Sequence, residues 1–183
     1  FWSLVHVLGT MMSLWPCLIR TATPSLSNMS EIELRARNFL SVLRHCQHLQ
    51  MTVEQADEQG LIIKLPYSDN IVGNPVTGVI HGGAITTLMD TCCGISTVCY
   101  LPEFEICPTL DLRIDYMHPA EPGKPIFGFA ECYRVTPTVI FTRGVAYQDD
   151  RAEPIAHVVG TFMRMGKAVN PGSLKAHGDE EGA

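Results

Sequence analysis

A long, nearly uncharged stretch in the middle of the chain sets the strongest constraint on the fold. Between residues 70 and 102 the only formally charged side chain is Asp90. The part from His81 to Tyr100 has the length and apolar content of one buried helix, closed by Pro102. A carboxylate inside such a helix is costly unless it is hydrogen-bonded, paired or used. We therefore expect this helix to be the centre of the fold, with Asp90 at a special position.

The residues after this helix predict an antiparallel sheet. Apolar and polar residues alternate from 109 to 116, and further strands are expected at about 125–135, 138–148 and 154–165. Before the central helix we expect a first helix from Ser30 to about Leu49, two strands joined at Gly60 and a loop from Tyr67 to Val79. Small residues recur at alternating positions of the later strands: Gly128, Ala130, Cys132, Gly144, Ala146, Ala156 and Gly160. A face with such residues lets a helix lie close to a sheet, which predicts an α+β fold with a curved antiparallel sheet wrapped around the helix.

Composition indicates one globular domain. The chain has 183 residues, of which 46% are hydrophobic and 17% charged. We expect the domain at residues 29–165, after an N-terminal extension at residues 1–28 and before a flexible tail at residues 166–183. The extension is apolar but interrupted by Gly9 and Pro16, so it makes a poor signal peptide and a marginal membrane span.

Charge and cysteine usage limit the possible partners and compartment. The net charge of −6 argues against a nucleic-acid groove, which needs a basic face. The seven cysteines lack C-x-x-C spacing, which favours free buried thiols in the reducing cytoplasm, with a nucleophilic Cys92 or Cys93 as the less favoured alternative. The histidines show no metal-ligand spacing, so no metal site is expected.

The predicted start of the central helix is a candidate site for an oxyanion. Free N–H groups at a helix N-terminus attract negative charge, and Gly82 and Gly83 allow a ligand to approach the backbone. A plain turn is the alternative. His81 can act as an acid or base there, or, as we favour, hold the loop by hydrogen-bonding a backbone group. Asp90 can be a base or nucleophile, or a carboxylate satisfied by neighbouring hydroxyls.

Several motifs together resemble hotdog-fold thioesterases of the PaaI-like group. They are the run from Asn74 to Thr91 with its His-Gly-Gly and Asp90, the strand from Thr109 to Pro119, and the later segments 141–143 and 156–162. The resemblance implies a hotdog fold, a long central helix wrapped by a five- to six-stranded antiparallel sheet. It also implies hydrolysis of acyl-CoA thioesters without a cofactor. Its members form homodimers or homotetramers (dimers of dimers), with active sites across the dimer interface, and no nucleic-acid or membrane partner is expected.

The resemblance also implies roles for individual residues. The N–H of Gly82 or Gly83 would polarise the thioester carbonyl, and Asp90 would act as nucleophile or as general base on water. Thr109 matches a hydroxyl position near the attacking water in some relatives. His81 matches the histidine of the His-Gly-Gly motif.

Two departures from the family pattern affect the remaining assignments. The family's loop asparagine usually lies six residues before the histidine, where this chain has Pro75; Asn74, seven before, matches it only with a one-residue loop difference. A basic pair that some relatives carry in a turn is also missing. The binding of the CoA phosphates is therefore unassigned, with Arg113, Arg134, Arg143 and Lys64 as candidates.

Two other functions remain open alternatives. A hotdog hydratase or dehydratase needs a histidine and a carboxylate side by side, whereas His81 and Asp90 lie about 13 Å apart along one helix. A non-catalytic protein that binds acyl-CoA or an acyl carrier would use the same cleft.

Overall fold

The computed structural model describes residues 29–166. The predicted N-terminal extension and all but the first residue of the predicted tail lie outside the described residues. Within the described part of the chain, no helix is long and apolar enough to cross a bilayer.

Two short helices open the described chain, where the sequence predicts one helix from Ser30 to about Leu49. Helix α1 spans Glu31–Val42 and α2 spans Arg44–His48. The helix breaks at Leu43, whose backbone is extended. Leu40 and Cys46 are both buried, yet residues six apart in an unbroken helix point about 120° away from each other around its axis. The break lets both side chains reach the core.

Six strands form one antiparallel sheet around a long helix, as the sequence predicts. Helix α3 spans Gly82–Tyr100. The sheet order is β1-β2-β6-β7-β8-β5, and its strands are β1 (Thr52–Asp57), β2 (Gly60–Leu65), β5 (Thr109–Tyr116), β6 (Ile126–Val135), β7 (Val139–Tyr147) and β8 (Ala156–Met163). The predicted loop before α3 contains two short paired strands, β3 (Val72–Asn74) and β4 (Val79–Ile80). Strand β5 follows α3 in sequence and lies at one edge of the sheet.

The small residues of the sheet let α3 approach its inner face. A Cβ atom added to Gly128 would lie 3.0 Å from Met89 Sδ, and one added to Gly144 would lie 3.0 Å from Met89 Cε and overlap the carbonyl oxygen of Phe129. Met89 and Leu88 of α3 are fully buried against this surface. The close packing predicted from the small residues is therefore present.

Replacing Gly144 by alanine is expected to destabilise the protein by about 3 kcal/mol, because the new methyl group meets backbone rather than a movable side chain. Urea unfolding followed by circular dichroism measures the change. Gly94→Ala is the matched control, since a Cβ there lies 3.5 Å from Phe162 Cε1, an ordinary contact. That variant is expected to be neutral or stabilised by up to about 1 kcal/mol. Equal stability of both variants would contradict this account of the packing.

Candidate active site

After α3 the chain turns back, and strand β5 runs beside the helix so that Thr109 lies next to Asp90. Thr109 is the first residue of β5, and its hydroxyl donates a hydrogen bond of 2.9 Å to Asp90 Oδ1. Within residues 29–166, Asp90 Oδ2 makes no hydrogen bond to another side chain or to the backbone. The carboxylate is thus held at one oxygen, while the other can accept a proton or attack an electrophile.

His81 caps the start of α3. Its Nδ1 accepts a hydrogen bond of 2.8 Å from the Gly83 N–H, and its own backbone N–H donates to the Ile71 carbonyl at 2.8 Å. A ring nitrogen that accepts a hydrogen bond carries no proton, so a neutral ring here has its proton on Nε2. This hydrogen bond holds the loop and occupies the Gly83 N–H.

Gly82 carries the open donor at this helix end. In the part of the chain that the structure describes, its N–H makes no hydrogen bond. Its carbonyl accepts hydrogen bonds from Tyr116 Oη at 2.7 Å and from Thr86 Oγ1 at 3.1 Å. Of the two glycines named from the sequence, the geometry favours Gly82 as a donor to a bound carbonyl oxygen.

Tyr116 is a residue of this site that sequence reasoning missed. It ends β5, on the inner face of the sheet, and contacts the first turn of α3. The alternation along β5 could have indicated this residue. Positions 112, 114 and 116 share the inner face of the sheet, so the last of them, Tyr116, faces the start of the helix.

The two halves of the candidate site are separated within one chain. Gly82 and Asp90 are eight residues apart on α3, or about 12 Å along its axis. Both lie beside the edge strand β5, which contacts Asp90 through Thr109 and Gly82 through Tyr116. One substrate carbonyl cannot meet the Gly82 N–H and the Asp90 carboxylate of the same chain.

Asn74 is the last residue of β3, at the start of the turn that leads to β4. Its side-chain oxygen accepts hydrogen bonds from the backbone N–H groups of Val76 at 3.0 Å and Thr77 at 3.4 Å. The neighbouring Gly73 packs so closely on His81 that an added Cβ would lie 2.8 Å from its Cα. Asn74 therefore closes a turn that contacts the start of α3, and among the described residues no hydrogen bond joins it to Asp90 or Gly82.

The three candidate arginines lie on the outer face of the sheet. Arg113 pairs with Asp115 at 3.0 Å and Arg143 with Glu131 at 2.7 Å, and Arg134 is exposed beyond a bulge in β6. Arg143 borders a groove of about 420 Å³, which lies on this face and is lined among others by Phe129, Arg151 and His157. The structure does not bring these arginines to Asp90, because the sheet lies between them.

The cysteines of α3 are not suited to nucleophilic attack. Cys92 and Cys93 are fully buried, and burial raises the pKa of Cys93 to about 12 and that of Cys92 well above its usual value. Such thiols are inert. Between residues 29 and 166 all cysteines are free, and no three His, Cys, Asp or Glu side chains form a group that could hold a metal ion.

The sequence matches known proteins over its central and C-terminal parts. Residues 77–155 match the model of the Thioesterase superfamily. An inferred esterase from Halobacterium salinarum is 32% identical over 75 residues, which are 39% of this chain and 50% of the relative. The chain thus spans half the length of that curated relative. A crystal structure of a Pseudomonas aeruginosa protein is 76% identical over 73% of this chain and 99% of that chain, with a TM-score of 0.69.

More distant solved structures share the fold. The Escherichia coli PaaI protein from the phenylacetic acid degradation operon is 15% identical over 74% of this chain and 94% of its own, with a TM-score of 0.65. A Streptococcus mutans protein bound to acetyl CoA is 19% identical over 63% of this chain and 89% of its own, with a TM-score of 0.56. The α3 helix and six-stranded sheet are those of the hotdog fold, as the sequence predicts. The chain belongs to the thioesterase superfamily.

Proposed function

We propose that the protein hydrolyses acyl-CoA thioesters to a free acid and CoA. The observation that carries this proposal is that α3 holds both the Asp90 carboxylate, which accepts a hydrogen bond from the Thr109 hydroxyl, and the Gly82 N–H, which makes no hydrogen bond within residues 29–166. Membership of the superfamily supports thioester hydrolysis in general. The acetyl CoA in the Streptococcus mutans structure supports a CoA thioester as the substrate. The buried free thiols fit the reducing cytoplasm, which we propose as its location.

In the proposed reaction the thioester carbonyl oxygen accepts the Gly82 N–H. Charge that develops on this oxygen is stabilised by a donor already in place at a helix N-terminus. Asp90 takes a proton from water, the resulting hydroxide attacks the carbonyl carbon, and CoA leaves as a thiolate that takes up the proton. Alternatively, Asp90 attacks the carbon itself and water then opens the acyl-aspartyl anhydride. In both routes one water and one thioester give one acid and one thiol.

The proposed site needs two chains. Strand β5 ends the sheet, and an edge strand presents unpaired N–H and C=O groups that a second copy can pair with. Strand β5 also exposes large hydrophobic side chains, since Leu110 is 54% and Tyr116 51% exposed in the single chain. Two copies side by side along β5 would continue the sheet and supply Gly82 from one protomer and Asp90 from the other. We propose this homodimer, or a tetramer made of two such dimers, as the active form.

A substrate panel tests the proposed activity. Release of CoA, measured with a thiol reagent, is compared for short-chain, long-chain and aromatic acyl-CoAs and for matching oxygen esters. Turnover of at least one CoA thioester, in preference to its oxygen ester, is expected. Tight binding in calorimetry without CoA release would instead identify a non-catalytic binding protein, and hydration of an enoyl-CoA would identify a hydratase.

Binding of the CoA phosphates by Arg113, Arg134 and Arg143 stays a prediction. If it holds, replacing any of the three by glutamine raises KM for an acyl-CoA more than for the matching acyl-pantetheine, which lacks those phosphates.

A further inference from the structure

Tyr116 presents its hydroxyl to the start of α3, beside the proposed carbonyl-binding N–H. We propose that Tyr116 is a positioning residue, which holds the carbonyl and Cα of Gly82 and so restricts the backbone rotation of the residue whose N–H is the proposed donor. The inference rests on the proposed function, because it assigns Tyr116 a role in polarising the thioester carbonyl.

The first argument is the hydrogen bonding around the Gly82 carbonyl. Tyr116 Oη lies 2.7 Å from this oxygen and 2.8 Å from Thr86 Oγ1, which itself lies 3.1 Å from the carbonyl. Tyr116 makes the shorter of the two contacts with the carbonyl, and when it donates there its oxygen can accept the proton of the Thr86 hydroxyl. Hydrogen bonds joined in this way polarise and strengthen one another.

The second argument is that the same peptide group is held at both of its polar atoms. Its carbonyl, from Gly82, accepts from Tyr116, and its N–H, from Gly83, donates to His81 Nδ1 at 2.8 Å. The tyrosine ring also covers Gly82, because a Cβ added there would lie 3.2 Å from Oη and 3.3 Å from Cζ. Glycine has the freest backbone of any residue, so these contacts restrict rotation about the backbone bonds of Gly82. The preceding peptide group, which carries the Gly82 N–H, is held through the His81 carbonyl, which accepts from the Ala84 N–H at 2.9 Å. A donor fixed before the reaction needs no reorganisation when charge develops.

The third argument is that folding alone does not require this hydrogen bond. A carbonyl in the first turn of a helix already has an intrahelical partner, since only the last four carbonyls lack one. Tyr116 is half exposed, so its hydroxyl could be satisfied by water instead. The helix therefore does not depend on this hydrogen bond for its formation, and we assign the effect of the bond to the geometry of Gly82.

Tyr116→Phe tests the proposal, because it keeps the ring against Gly82 and removes only the hydroxyl. We expect kcat on an acyl-CoA to fall about tenfold, with KM within about twofold and an unchanged melting temperature. Tyr133→Phe is the matched control, since Tyr133 is 52% exposed against 51% for Tyr116 and lies on β6. It should retain wild-type kcat and KM.

An NMR measurement tests the contact without using activity. Loss of the hydrogen bond is expected to shift the Gly82 carbonyl ¹³C and the Gly83 amide ¹⁵N in Tyr116→Phe and to leave both unchanged in Tyr133→Phe. Unchanged signals in Tyr116→Phe would overturn the proposal. A lower melting temperature with equal losses in substrate binding and turnover would also overturn it, as a structural role would then explain the effect.

The activity assay separates this inference from the proposed function. Wild-type turnover by Asp90→Asn would refute the proposed mechanism itself. An inactive Asp90→Asn together with wild-type kcat in Tyr116→Phe would overturn the positioning role and leave the proposed function standing.

Discussion

Asp90→Asn is expected to lower kcat/KM for an acyl-CoA by about 10³-fold, the range typical of a lost base or nucleophile. Asparagine has the size of aspartate and can still accept the Thr109 hydroxyl through its amide oxygen, so the local structure should persist. It cannot carry the negative charge that takes a proton from water or attacks the carbonyl carbon. The measurement is CoA release at several substrate concentrations, with circular dichroism to verify folding.

Asp111→Asn is the matched control for this prediction. Asp111 is an exposed aspartate of β5 on the outer face, opposite Thr161. The same change of charge there should leave kcat/KM within about twofold, as is usual for exposed surface positions. Comparable activity of Asp90→Asn and Asp111→Asn would mean that Asp90 is only a carboxylate stabilised by a neighbouring hydroxyl.

Gly82→Pro is expected to lower kcat by about 10²- to 10³-fold, as for the loss of one oxyanion donor. Proline deletes the N–H that makes no hydrogen bond in the described chain. Gly82 is the first residue of α3, the helical position where proline is favoured. His81 before it has φ −67° and ψ 131°, which suits a residue preceding proline. The variant should therefore fold with its site geometry nearly intact.

Gly82→Ala separates the effect of losing the N–H on kcat from the effect of the added side chain. Alanine keeps the N–H but adds the same Cβ, which would approach Tyr116 Oη to 3.2 Å. We expect a several-fold smaller loss of kcat than in Gly82→Pro, and the ratio of the two rates measures the N–H itself. Equal rates in the two variants would exclude the Gly82 N–H as the carbonyl donor.

The main features of the fold could be predicted because they depend on local patterns. The apolar helix around Asp90 and the small inward residues, such as Gly128 and Gly144, are enough to predict a sheet wrapped around α3. The break at Leu43 could not be predicted, since it results from burying Leu40 and Cys46 together. The pairing of β3 with β4 was also missed, because two such short strands show no period in a loop rich in glycine and proline.

The candidate site was predictable only in its residue types. Asp90, Thr109 and the two glycines could be named from motifs, whereas the choice between Gly82 and Gly83 depends on which amide the His81 ring engages. The contact of Tyr116 with Gly82 depends on the path of β5 over α3, a non-local property. A tyrosine at the end of an alternating strand has the same sequence pattern as any other inward residue.

The separation of Gly82 and Asp90 along α3 has a consequence for genetics and mixing experiments. If each site takes Gly82 from one protomer and Asp90 from its partner, a mixed dimer of Asp90→Asn and Gly82→Pro chains has one site with both lesions and one with neither. Random reassociation of two inactive proteins would then restore about a quarter of the wild-type sites, because half of the two-fold symmetric dimers are mixed. Activity regained on mixing would demonstrate intersubunit complementation in this protein.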